Sequence, residues 1–379
     1  MASEGTDCEK SEAFPWHLGL FDAHCHPTDL MATMKNVTSM RSKGLTIMAT
    51  RRQDQHLVAC FVDELRRLQT WSDPKIIIPA FGWHPWFAHQ LIDDLACRTT
   101  ACPSKTDHYK QVIIPAPDDT EFLDSLPEPL LLSEVLYDVR SRLLRYPDAI
   151  IGEVGLDKAF RIPAAQVLDQ SSESDPQLTP GSREGRRLSK YRVRPAHQQR
   201  ILSEQLQLAG ELKRPVSVHG VAAHGLLYET IACTWLNHQN GVRSKGASKN
   251  WADGRNVSIS GPDSSKESDP KSYPPRICLH SYSGHSDTMK QYLKPSVPVK
   301  IFFSFSILVN FSSESTKAVE VIQAVPSDRV LAESDLHAAG GEMDELIEDV
   351  VKRICRIKGW TWAFGVQQLA VNWRSFIYG

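Results

Sequence analysis

Eight short apolar runs, spaced along almost the whole chain and separated by stretches of helical spacing, limit what this sequence can fold into. The first is Leu18-Gly19-Leu20-Phe21-Asp22-Ala23-His24-Cys25-His26-Pro27; the others cover residues 44–50, 76–82, 149–157, 215–220, 276–284, 299–306 and 330–335. Helices are expected over 54–68, 130–146, 195–213, 225–236 and 315–325, with two closing ones over 343–358 and 366–375. Apolar runs that alternate with helices are strands of a parallel sheet covered on both faces. Eight such units predict an α/β fold of the (β/α)8 TIM-barrel type, with its functional groups at the carboxyl ends of the strands.

The repeat is interrupted by three polar inserts, at about 97–129, 158–194 and 237–275. A chain of 379 residues with 41% hydrophobic content can bury a large core, and a single barrel spanning 1–379 with inserts in its βα connections is expected. The insert over 158–194 carries Arg183, Arg186, Arg187, Lys190, Arg192 and Arg194. Its first reading is a solvated, mobile loop; its second is a basic flap that contacts phosphate beside the site.

With 43 Lys and Arg against 45 Asp and Glu, the net charge of -2 excludes the global basic field of a dedicated nucleic-acid binder, so any polyanion contact is local. The first ten residues lack a basic start and an apolar core, and no apolar run is long enough to span a bilayer, so neither a leader nor a membrane partner is expected. None of the eight cysteines forms a Cys-x-x-Cys pair, and Cys25, Cys60 and Cys278 read as small buried thiols. A reducing compartment follows as the expectation, cytoplasmic first and nuclear second.

The chemistry lies where the runs end. On a strand, His24 and His26 share one face and Cys25 takes the other, so two imidazoles converge. Glu153 sits inside an otherwise apolar run, where an unpaired carboxylate is costly and calls for a cation, a metal or a shifted pKa. His219, His280 and Asp335 close the fifth, sixth and eighth runs, and His84-Pro85 follows the third. In a barrel, His24, His26, Glu153, His219, His280 and Asp335 then share one rim, a coincidence that points to a metal site. Imidazoles mixed with carboxylates suit zinc, manganese or iron, and magnesium where carboxylates and waters dominate.

These motifs resemble those of the TatD-like metal-dependent deoxyribonucleases, within the broader amidohydrolase-type barrels. The resemblance rests on Phe21-Asp22-Ala23-His24-Cys25-His26, Gly82-Trp83-His84-Pro85 and Gly152-Glu153-Val154-Gly155-Leu156-Asp157. It continues through Gln205 to Ala209, Pro215 to His219, His280-Ser281-Tyr282-Ser283-Gly284 and Leu331-Ala332-Glu333-Ser334-Asp335. Leu336-His337 departs from the small residue plus proline usual after the last aspartate, and the inserts exceed those of compact bacterial members, so a fungal or other eukaryotic branch is expected.

The resemblance implies two divalent ions per chain (Zn, Mg or Mn), one held by His24, His26, Glu153 and Asp335, the other by Glu153, His219 and His280, with Glu153 bridging. It implies Asp335 and Glu153 as catalytic groups, Asp335 orienting or deprotonating the attacking water, and His84 and Asp157 as groups that face the substrate or support a ligand. The implied activity is removal of nucleotides from DNA ends by a metal-activated hydroxide, with DNA or another phosphate-bearing molecule as substrate. Because the same nucleophile attacks carbonyl carbon, hydrolysis of another ester or amide, such as aminoacyl-tRNA deacylation, is the alternative within enzymes. A protein-interaction scaffold that binds its partner through the inserts is the alternative outside them.

Overall fold

The computed structural model describes residues 13–68, 74–95, 102–165, 178–181, 186–243, 273–312 and 316–379. The eight apolar runs become β1 (Phe21–Cys25), β2 (Gly44–Met48), β3 (Ile76–Phe81), β4 (Ile150–Asp157), β5 (Val216–Val221), β6 (Arg276–Leu279), β7 (Lys300–Phe305) and β8 (Val330–Ala332). They follow one another in chain order in one sheet, every ladder parallel. Past the end of β8 the sheet meets its own beginning, Asp335 N donating to His24 O at 3.0 Å and His26 N to Leu336 O at 2.9 Å. The (β/α)8 barrel expected from the alternation is the fold observed.

Alternation along each strand divides the core. Leu45 and Ile47 of β2 join the layer between sheet and helices, whereas Met48 faces an inner cluster with Phe21, Ala23, Ile78, Ile150 and Phe302. The inner cluster is capped from the amino-terminal mouth by the last helix, whose Trp373 stacks on Phe21 at 4.4 Å and donates from Nε1 to Thr46 Oγ1 at 3.0 Å. Covering helices are α1 (Arg52–Leu68), α2 (Lys105–Val112), α3 (Thr120–Ser125), α4 (Leu132–Arg145), α5 (Pro195–Glu211), α6 (His224–Arg243), α7 (Ser286–Tyr292), α8 (Ile307–Asn310), α9 (Lys317–Ala324), α10 (Gly341–Lys358) and α11 (Trp362–Ile377). Among the described residues, no helix is long and apolar enough to cross a membrane.

Two sequence readings need correction. Cys60 is exposed on the outer side of α1, with its Sγ 3.2 Å from His56 Nε2, because apolar neighbours in a helix do not share its direction. Residues 102–129 are not a loose excursion either. They fold as α2 and α3, capped by Ser104 and Asp119, and Tyr109, Val112, Phe122 and Leu123 enter a second hydrophobic core with Phe87, Leu91 and Ile201.

That second core also takes in part of the next insert. Ile162, Tyr191 and Val193 are buried in it, and Ile113–Ile114 pairs antiparallel with Arg192–Val193. Residues 178–181 lie across the loops after β1 and β2: Leu178 bridges Leu30, Thr179 Oγ1 donates to Thr28 O at 2.5 Å, and buried Arg51 donates to Thr179 O and Pro180 O at 3.1 Å each. The described parts of 158–194 are therefore anchored to the barrel through Ile162, Thr179, Tyr191 and Val193, while Lys158, Arg161, Arg187, Lys190 and Arg192 face solvent. Arg183 lies outside the described residues, as do residues 244–272 of the insert expected over 237–275; its first residues, 237–243, instead continue helix α6.

Candidate metal centre

Two strands carry one residue more than their neighbours, and both extra residues fall in the motifs that supply the site. Between Asp22 and Cys25 of β1 the partner strand advances from Leu45 to Ile47, and between Ile151 and Val154 of β4 the partner advances from Val216 to Val218. Such a bulge re-aims side chains. Phe21 and Ala23 face the inner cluster while Cys25 joins the outer one, so His24 and His26 turn to the mouth of the barrel. Ile151 and Val154 both face outward, which leaves Glu153 pointing in. Gly155 then lets β4 approach β5: its φ is +153°, and a Cβ there would lie 2.1 Å from His219 O.

The two oxygens of Glu153 face different histidines. Oε2 is 3.5 Å from His24 Nε2 and 3.3 Å from His26 Nε2, and those two nitrogens are 3.1 Å apart. Oε1 is 2.9 Å from His219 Nδ1 and 2.7 Å from His280 Nε2, with 3.2 Å between the nitrogens. Asp335 Oδ1 approaches the first set, 3.8 Å from His24 Nε2 and 3.6 Å from His26 Nε2. Bonds of about 2.1 Å to one ion, at tetrahedral or octahedral angles, separate their donor atoms by about 2.9–3.4 Å. Both triangles have nearly those edges, so the residues fit a pair of ions that share Glu153.

Supporting contacts set which nitrogen points inward. His24 Nδ1 is 2.9 Å from Ser217 Oγ, which presents Nε2 to the centre. His219 Nε2 is 3.2 Å from Asp157 Oδ2, which presents Nδ1. Asp157 is itself fixed, accepting from Trp86 Nε1 at 2.6 Å and from the main chain of Ala159 and Phe160 at 2.7 and 2.8 Å. A carboxylate behind a ligating imidazole holds its tautomer and orientation.

His84 plays a different part. Its Nδ1 accepts from Trp86 N at 3.2 Å, which leaves the proton on Nε2, 3.2 Å from Glu153 Oε1. With that proton it donates to Glu153 and offers no lone pair to an ion. His337, beyond the centre, is exposed and pairs with Asp29 at 2.8 Å. One buried group was not singled out from the sequence. Glu333 accepts from Ser281 N at 2.7 Å and lies 3.5 Å from His280 Nδ1, and its Oε2 and that nitrogen are buried without a hydrogen-bond partner. The motif Glu333-Ser334-Asp335 contained it, but on regular alternation Glu333 and Asp335 look like one pair, whereas β8 ends at Ala332.

Electrostatics match the geometry. Burial opposes ionisation of Glu153, yet His84, His280 and His24 outweigh it and hold the carboxyl well below its usual range. Burial likewise opposes charging His26, but its hydrogen bonding to the carboxylates of Asp335 and Glu153, which accept, pushes it up to about 10, and Glu153 raises His280. His24, buried and beside the cationic His280, is lowered instead. Asp335 is held at about 2, against burial, by His26 and the charges of His280 and His24. These groups have a strong affinity for positive charge at their convergent nitrogens and oxygens.

A family model described as TatD related DNase matches residues 21–377. Cut9-interacting protein scn1 of Schizosaccharomyces pombe is 34% identical over 359 residues, covering 94% of this chain and 98% of that protein. An uncharacterized deoxyribonuclease of Saccharomyces cerevisiae is 27% identical over 324 residues, 83% of each chain. Both relatives are fungal. In fold, the TatD homologue YJJV of Escherichia coli superposes with a TM-score of 0.53 at 15% identity, over 95% of this chain and 98% of that one. A hydrolase TatD family protein of Entamoeba histolytica does so with the same TM-score at 12% identity. The family match spans the barrel from its first strand to its last helix and includes every residue of the centre, so the chain belongs to the TatD-related DNase family of hydrolases.

Proposed function

We propose that this protein hydrolyses phosphodiester bonds at DNA ends and releases nucleotides, with two divalent ions held by His24, His26, Glu153 and Asp335 on one side and by Glu153, His219 and His280 on the other. The observation that carries the reading is the division of Glu153, one oxygen toward each pair of imidazoles. The imidazole-rich donor set favours zinc, and manganese or magnesium where carboxylate and water oxygens complete the shell. When bound, paired ions lower the pKa of a coordinated water and neutralise charge that develops on the phosphate.

The chain's own groups do the rest. Asp335 is the carboxylate of the centre most open to solvent, 18% exposed against 4% for Glu153, and stays ionised at neutral pH. It accepts the proton of the attacking water. Asp157 and Ser217 keep the His219 and His24 rings from rotating, and His84 donates Nε2–H to Glu153 Oε1. The 178–181 segment docked beside the β1 and β2 loops raises a wall on one side of the mouth, which suits a strand terminus better than a continuous strand. Lys158, Arg161, Arg187, Lys190 and Arg192 of the same insert are exposed, so binding of DNA should be electrostatic and weaken with added salt.

The test is release of nucleotides from end-labelled single-stranded DNA with and without Mg, Mn or Zn. Metal-dependent release that Asp335→Asn abolishes is expected. Bound metal with intact DNA, and turnover of a carboxylic ester or aminoacyl-tRNA in its place, would overturn the phosphodiesterase reading. A protein partner is a second property, favoured by the relative whose description is Cut9-interacting protein; pull-down with the full chain and with a chain lacking 244–272 tests whether that insert carries it. A cytoplasmic location, with a nuclear fraction, is the setting proposed, and imaging of the tagged protein checks it.

A further inference from the structure

Beside the centre stand two aromatic rings that the hydrolytic machinery does not use. Trp86 and Phe160 stack face to face, 4.5 Å between centroids and 11° between planes. Both are half-buried. Trp86 lies edge-on to His84 at 4.8 Å and to His219 at 6.1 Å, so the stack adjoins the histidines that face Glu153 Oε1. Phe160 enters none of the hydrophobic clusters among the described residues, unlike Trp86, which packs against the second core. Among the described residues, a partly exposed phenyl ring stacked on Trp86 through one face and outside every core cluster suits contact with a flat ligand.

One carboxylate fixes both rings. Asp157 accepts from Trp86 Nε1 and from Phe160 N, and its Oδ2 is also the partner of His219 Nε2. The platform is thereby tied to the same group that orients a donor of the centre. Lys158 and Arg161, two residues before and one after Phe160 in the chain, are exposed cations. An aromatic face with cations nearby in the chain matches a nucleotide, whose base stacks on an aromatic ring while its phosphate meets positive charge.

We propose that Trp86 and Phe160 form the stacking platform for the base of the terminal nucleotide, next to the bond that is cut. The inference rests on the phosphodiesterase reading and names the substrate feature recognised: a nucleobase, beyond a bare phosphodiester. A merely structural alternative is that the pair shields Asp157.

Two oligonucleotides separate these possibilities, one with an ordinary terminal nucleotide and one abasic at that terminus, tried at each end in turn. The wild type should show a KM about tenfold lower for the base-bearing end, the size of effect that stacking one base produces. Phe160→Ala keeps the main-chain bond from Phe160 N to Asp157 but removes the ring, and it should erase that preference; Phe160→Tyr should restore it. Binding of phosphorothioate versions, followed by fluorescence anisotropy, should show the same pattern without turnover. Equal KM for the two ends in the wild type, or an equal loss on both ends in Phe160→Ala, would overturn the proposal. If neither oligonucleotide is cleaved the phosphodiesterase reading fails by itself, and the anisotropy comparison still decides whether the pair takes a base.

Discussion

Two groups of histidines lie largely out of solvent in this molecule, and they differ in what their ring nitrogens face: only the rim group has members pushed up, although His24 and His84 within it are lowered. At the rim, His26 and His280 face carboxylates and are pushed up, His26 to about 10. In the second core, His89, His108 and His197 face the main chain. His108 Nε2 donates to His89 O at 2.8 Å and His197 Nε2 to Ala88 O at 2.9 Å. Burial then prevails, lowering His89 to about 3 and His197 to about 4. The rim nitrogens converge on one another and on Glu153, whereas His108 and His197 each spend a nitrogen on a carbonyl of the turn Pro85–Gln90, and the unpartnered Nδ1 of His89 has no carboxylate beside it among the described residues. Burial alone does not make a histidine a ligand; an unspent lone pair aimed at others does. The second group instead clamps the turn that follows His84 and carries Trp86.

The sharpest way to break the contrast is to remove the carboxylate the rim histidines share. Glu153→Gln should cut turnover about 10³-fold, the several kcal/mol that paired-ion stabilisation supplies, and should lower the metal content measured on the same sample. Full metal occupancy in that variant would refute the bridging role. Asp157→Asn keeps the shape but weakens the hold on His219, and a loss of about 10- to 100-fold in metal affinity is expected from a titration monitored by a competing chelator. Unchanged affinity would show that Asp157 does not orient the ring.

Acid should tell the two groups apart. A histidine lowered in the folded state is neutral there and gains its proton on unfolding, so its stability contribution is full above the unfolded pKa and is lost as pH falls from about 6.5 toward the folded value. For His197, with a folded value of about 4, the loss at pH 5 is about 1–2 kcal/mol. His197→Gln keeps an N–H for Ala88 O and should shrink the drop in urea stability between pH 7.5 and 5 by that amount; an unchanged drop would contradict the assignment. For His26 at the rim the sign reverses, because it is pushed up to about 10 and keeps its proton at neutral pH, so zinc added at pH 7 should release protons into weakly buffered solution. The smallest effect is expected at His337, 64% exposed, where His337→Ala should change stability by less than about 0.5 kcal/mol and turnover by less than about twofold.

The sequence disclosed the barrel because its strands are buried on both faces and so read as unbroken apolar runs, and the ends of those runs named His24, His26, Glu153, His219, His280 and Asp335. What stayed hidden depends on departures from regular geometry. The bulges in β1 and β4 have no signature in the residues that form them, although they decide that His24 and Glu153 face inward. Glu333 sits two positions before Asp335, and only the end of β8 at Ala332 shows where it goes. The second core escaped notice because α2 and α3 are eight and six residues long, too short for a helical period to stand out. Ser104 with Asp107, and Asp119 before Phe122, were the available capping signals.

The most direct measurement is metal content by elemental analysis of three purified proteins: wild type, the double variant His24→Ala with His26→Ala, and His108→Gln from the second core. Near two ions per chain in the wild type and in His108→Gln, with at least one lost from the rim variant, is the predicted result. No metal in the wild type under any loading condition, or metal lost from His108→Gln and kept by the rim variant, would contradict the account.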